Sequence, residues 1–178
     1  SGGGNDVFEP SDQPRRTRLY AMLDPRGGTV EEALVESEVH RLIDKDLRGY
    51  YEQILDELVK VPALPILIHG YAHPVPDGTK SNFGGVSLPG WPGPWLKGVF
   101  DDHGMHDAVG LNRQIMVTLI DRLNAMIGQV AALQKYQSRV QHVALHKVFN
   151  YDHPDVPARR KHWQDEIHPT AWGCELLA

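Results

Sequence analysis

Pro65-Ile66-Leu67-Ile68-His69-Gly70 is the stretch on which the fold turns. It is a short, almost wholly apolar run, opened by a proline and closed by a glycine. Four to eight such residues between turn formers suit a parallel strand covered on both faces rather than a helix, which needs more length. Upstream, Thr29-Val30-Glu31-Glu32 has the form of a capping box, in which the threonine oxygen accepts from a free amide and Glu32 reaches back. Val35, Val39, Leu42/Ile43, Leu47, Tyr50/Tyr51, Ile54 and Leu58 then recur every three to four positions. That period predicts one long amphipathic helix, bent at Gly49 and stopped by Pro62.

Downstream of the strand, residues 71–108 are rich in Gly, Pro and Trp, and include Pro89-Gly90-Trp91-Pro92-Gly93-Pro94-Trp95. Turn residues at that density predict an irregular segment, and long irregular segments in compact domains are usually functional or disordered. A second amphipathic helix is predicted over 110–136, with Leu111, Ile115, Leu119, Leu123, Ile127 and Val130 on its inner side. Arg113, Thr118, Asp121, Arg122 and Gln129 face water. Val143–Phe149 reads as a second strand, and Pro169 suits the first turn of a last short helix over 170–177. Before all this, residues 1–28 read as loop with a short element near Leu19–Leu23. The alternation of helix and strand implies an α/β layered fold with a parallel sheet. Two strands do not bury a parallel sheet, so the sheet is expected to be incomplete in this chain. A missing N-terminal segment or another copy of the chain would complete it.

The totals exclude several classes. The 178 residues fit one domain, and 41% hydrophobic content fills a normal core. A formal charge of −5 argues against nucleic-acid binding, which uses a basic face. No apolar run is long enough for a membrane span. The single cysteine, Cys174, rules out an internal disulfide. Ser1-Gly2-Gly3-Gly4 is neither a signal peptide nor an ordinary start, which suggests a cut chain and leaves localisation undetermined.

Two small motifs carry chemistry. In Asp165-Glu166-Ile167-His168-Pro169, two residues separate an acid from an imidazole, so a turn can bring both side chains to one side. A general-base histidine needs that carboxylate on Nδ1 to leave Nε2 free for the nucleophile. The plainer alternative is a histidine bonding locally near a helix start. In Gly3-Gly4-Asn5-Asp6, the asparagine offers a neutral N–H donor for a developing oxyanion, and glycine permits close approach of backbone to substrate. An ordinary turn explains the same residues.

Taken together and in this order, the two motifs resemble the third and fourth sequence blocks of the SGNH (GDSL-like) hydrolase family, G-x-N-D and D-x-x-H. The resemblance runs over nearly the whole chain and makes residues 1–178 the C-terminal part of a single such domain. It implies a flavodoxin-like three-layer α/β/α fold, lacking its N-terminal strands here. It also implies hydrolysis of a carboxylic ester by a Ser-His-Asp mechanism without metal or other cofactor. Carried over by position, His168 is the general base, Asp165 its orienting carboxylate, and Asn5 an oxyanion donor beside Gly4. His69, Tyr71 and His73 stand at the mouth of the first strand. Trp91 and Trp95 supply apolar walls for a small ester substrate, or else pack the loop to the body. The family's first two blocks are absent. No Gly-Asp-Ser occurs, and Ser1, Ser11, Ser37, Ser81, Ser87 and Ser138 lack the setting of an activated nucleophile. The chain alone is therefore expected to be inactive.

Two rivals remain. A non-catalytic interaction module built on the same fold would also lack the serine. A metal-dependent hydrolase could draw on Asp101-Asp102-His103-Gly104-Met105-His106-Asp107, with His142, His146 and His153 elsewhere, though no H-E-x-x-H helix is present.

Overall fold

A computed structural model describes residues 17–61, 65–79, 95–106, 110–145, 148–149 and 161–177. Asn5, Gly4, Trp91, Asp107, His146 and His153 lie outside them. The first element is α1 (Arg18–Ala21), whose N-cap Thr17 accepts a hydrogen bond from the Tyr20 amide. Next come α2 (Val30–Ala33), α3 (Glu36–Val39), a π-helical segment (His40–Leu47) and α4 (Arg48–Leu58). They are followed by β1 (Ile66–His69), α5 (Lys97–Asp102), α6 (Leu111–Ala131), β2 (Val140–Val143) and α7 (Ala171–Leu177).

The single helix expected over residues 29–58 is in fact three pieces and a π-helical stretch. Its start forms as the motif predicts: Thr29 Oγ1 accepts from the Glu32 amide, while Glu32 returns to the amide of Gly28, one residue earlier than a standard box. The helix then ends at Leu34, which is extended and bridges Leu23 in antiparallel fashion. The amides of Asp24 and Val35 donate to Ala33 and Met22, so pairing with the chain after α1 replaces helical bonds at this point. Further on, the departure from α geometry lies in the turns before Gly49, not at it. A π-helical stretch carries more residues per turn and shifts the phase of everything after it. Val39, Leu42, Ile43 and Leu47 are buried, but Ile54 and Leu58, on the same sequence period, are 54% and 43% exposed.

The two strands pair in parallel, with Ile66 opposite Val140 and His69 opposite Val143. The second strand starts at Val140 and ends at Val143, upstream of its expected place over 143–149. Between them runs α6, which packs on both strands, so the unit is a strand–helix–strand crossover. The helix ends at Ala131 rather than Tyr136; turns follow, and Tyr136 is buried with its hydroxyl donating to Asp56 on α4. The α6 face expected to be apolar is buried, apart from the half-buried Leu111, and the burial extends to Met116, Ile120 and Met126. Ile66, Ile68, Val140 and His142 form the covered side of the sheet, where His142 lies against Gly128 of α6. Leu67, at 64% exposure, and Val143 point the other way. Burial on both faces is thus not found among the described residues. The chain is a mixed helix–strand molecule with a two-stranded parallel sheet. No helix of the described residues is long and apolar enough to cross a membrane.

Candidate active site

The chain leaving β1 is held down at once. Asn124, buried on α6, accepts from the Tyr71 amide with Oδ1 and donates from Nδ2 to the Tyr71 carbonyl. This two-way clamp sits against Gly70, where any Cβ would overlap the Asn124 side-chain oxygen. Glycine is required there by close approach rather than by backbone torsion. Two residues on, His73 Nε2 donates to Asp121 Oδ1 at 2.7 Å, again on α6. The segment then runs to Val75, whose amide donates to the carbonyl of Glu166. In this way the end of β1 is tied to the loop that carries the acid and the imidazole.

That loop is a tight reversal. Trp163 and Pro169 bridge in antiparallel fashion, the Gln164 amide donates to the His168 carbonyl, and the Thr170 amide to the His162 carbonyl. Thr170 Oγ1 accepts from the Gly173 amide and so acts as the N-cap of α7. Pro169 therefore precedes the cap instead of opening the helix. At the base of the loop, the His162 ring is stacked between Phe149 and Trp172, with centroids 4.9 and 4.7 Å away, and Trp163 meets Phe149 edge-on. Burial and the adjacent Lys161 lower the pKa of His162.

Asp165 is the hub of the reversal. Its side chain is 0% exposed. Oδ1 accepts from the amides of Ile167 and His168 at 2.9 and 2.8 Å, and Oδ2 lies 2.8 Å from His168 Nδ1. A carboxylate only accepts, so the ring hydrogen sits on Nδ1. Nε2, on a side chain 54% exposed, has no hydrogen-bond partner among the described residues. Such a ring can take a proton at Nε2 while the carboxylate steadies the cation that results. The Trp95 indole meets the imidazole edge-on, with centroids 5.7 Å apart and planes at 71°.

Of the residues singled out in the sequence, Asp165, His168 and Trp95 are brought together. Tyr71 packs against the core and is clamped by Asn124, and His73 leans on Asp121. His69, the last residue of β1, is exposed with Nδ1 on the Gly70 carbonyl. Asn5, Gly4 and Trp91 lie outside the described residues, and with them the question of whether Asn5 and His168 share a pocket rim. Sequence reasoning passed over Asn124, Asp121 and Glu166. Nothing local marks the two α6 residues, since each acts on a partner about 50 positions away. The described part of the histidine and aspartate run spans the end of α5 and the residues after it, and its side chains are engaged elsewhere. His103 stacks on Tyr20 and bonds its carbonyl, and Asp101 is engaged by Lys97. Among the described residues no group of three or more His, Cys, Asp or Glu side chains is placed to hold a metal ion.

Compared with protein-family models, with curated proteins and with solved structures, the chain matches none.

Proposed function

We propose that this chain supplies the general-base half of a serine-type ester hydrolase of SGNH type. His168 Nε2 takes the proton of a serine hydroxyl that lies outside these 178 residues. The serine oxygen attacks the ester carbonyl, and collapse of the tetrahedral intermediate expels the alcohol, which receives the proton back from His168. Water then repeats the sequence on the acyl-enzyme. Asp165 holds the ring in its tautomer and offsets the imidazolium charge. In this reading the Asn5 amide, beside Gly4, donates to the oxyanion. Trp95 lines the acyl or alcohol side of the pocket.

The one observation that carries the reading is the buried Asp165 carboxylate on His168 Nδ1 at 2.8 Å, with the histidine side chain 54% exposed. Two backbone amides and the ring all converge on one desolvated carboxylate. The sheet fits the same proposal. Its outward face carries Leu67 and Val143, a surface that the helices of a three-layer fold would cover.

The test is hydrolysis of a generic aryl ester by the protein that contains this chain together with its upstream reading frame. His168→Ala should lower the rate by about four to six orders of magnitude, the range found when a triad base is removed. The 178 residues alone should not react with a fluorophosphonate probe. Near-normal rates in the His168→Ala enzyme would refute the assignment.

A further inference from the structure

Glu166 stands between the acid and the base and has no part in their pair. It is fully buried. Oε1 accepts from the amides of Gly78 and Lys97, both at 2.9 Å, and Oε2 from the amide of Leu96 at 2.7 Å. One carboxylate thus joins the segment after β1, the start of α5 and the reversal that carries His168. Leu96 is the N-cap of α5 and has no side-chain oxygen of its own to cap with. Glu166 performs that task from 70 positions away.

The residue next to Leu96 is Trp95, whose ring meets His168. The Trp95 indole N–H is buried and has no hydrogen-bond partner among the described residues. The ring packs against the core without a polar anchor of its own, and the Glu166 carboxylate grips the backbone at the next two amides. Burial raises the pKa of Glu166 against the pull of the three amides, with Asp77 adding to the rise, so folding disfavours its ionisation.

Resting on the reading of His168 as the base, we propose that Glu166 is a positioning residue. Its carboxylate fixes the Leu96–Lys97 backbone so that Trp95 stays edge-on to the His168 ring, confining the imidazole to the rotamer in which Nδ1 faces Asp165. The contact is built from both sides of one short loop: Asp165 orients the ring from behind, and Glu166, next in sequence, holds the wall in front of it.

The experiment uses the 178-residue chain labelled with 5-fluorotryptophan, Trp95→Phe identifying the Trp95 resonance. In the wild type this resonance should titrate with the same midpoint as the His168 ring protons. In Glu166→Gln the chain should keep its far-ultraviolet circular dichroism, while the Asp165–His168 hydrogen bond loosens and the Trp95 resonance loses that pH dependence. Exchange of the Gly78, Leu96 and Lys97 amides should accelerate by about tenfold to a hundredfold, as expected when a charged acceptor is withdrawn. A Trp95 signal in Glu166→Gln that still follows His168 overturns the proposal. If that variant does not fold, the wild type decides: fast-exchanging amides at Gly78, Leu96 and Lys97 overturn it, and protected ones together with the shared midpoint support it. A wild-type His168 without hydrogen on Nδ1 is the distinct result that overturns the general-base reading itself.

Discussion

Replacing Asp165 by asparagine is the sharpest single perturbation, because it keeps the shape of the hub and changes only what it can accept. The carboxamide oxygen of the variant can retain the two backbone amides now held by Oδ1, those of Ile167 and His168. The carboxamide nitrogen then takes the place of Oδ2, 2.8 Å from His168 Nδ1, and sets donor against donor. The ring relieves this by moving its hydrogen to Nε2 and accepting at Nδ1. A charge-assisted bond contributes roughly 1.5–3 kcal/mol and a neutral one roughly 0.5–1.5 kcal/mol. The exchange should therefore cost about 1–2 kcal/mol of stability, or a fall in melting temperature of about 2–8 °C for a chain of this size. The functional cost is far larger, since an Nε2 that bears hydrogen cannot accept the serine proton. The same change in a serine-protease triad costs about 10⁴ in kcat.

Long-range ¹⁵N–¹H correlation spectra of histidine-labelled protein, taken where the imidazole is neutral, distinguish the two tautomers directly. His168→Gln assigns the signals among the ten histidines. The wild type should carry hydrogen on Nδ1 and Asp165→Asn on Nε2. An unchanged tautomer in the variant would show that Asp165 does not orient the ring.

Two further predictions concern the frame that holds the site. Gly70→Ala should destabilise the chain by about 2–4 kcal/mol in urea titrations, because the new methyl displaces Asn124 and leaves both polar groups of Tyr71 without it. In an Asn124→Ala background the same change should be nearly neutral, so a double-mutant cycle should return strong coupling; additive effects would refute the steric origin. Arg122→Met on α6 removes the partner of Asp44 in the π-helical segment and of Glu36 on α3. The hydrogen bond from Arg122 is the largest cause holding the pKa of Asp44 below its ordinary value of 3.8, with His40 adding to it. A depressed acid contributes stability above its unfolded value and loses it as pH falls through the folded one. The Arg122→Met penalty, about 1 kcal/mol at neutral pH for a partly exposed pair, should accordingly shrink as pH drops below about 3.8. A penalty independent of pH down to the acid limit would show that packing of the arginine stem, not its charge, is what counts.

Local signals proved dependable where local physics decides the outcome. The Thr29 cap, the apolar run of β1 and the inner face of α6 follow from hydrogen-bonding capacity and hydrophobic period, which neighbours in sequence supply. The spacing of Asp165 and His168 likewise suffices for a turn that pairs them, since the bonds from Ile167 and His168 to the Asp165 carboxylate span three residues or fewer. The break at Leu34 and the π-helical phase shift escaped the same rules. There the backbone of 33–35 pairs with residues 22–24, and Arg122 on α6 gathers Glu36 and Asp44.

By itself, then, the sequence determined the helix–strand alternation, the parallel pairing and an acid–imidazole turn near residue 165. Only the tertiary structure decided what surrounds that turn. It set Trp95 against the imidazole, Glu166 under the start of α5, and Asn124 behind the end of β1. Those contacts join residues about 50 to 90 positions apart; the polar ones form because burial favours a partner for the Glu166 carboxylate and the Asn124 amide, whichever segment the fold brings within reach.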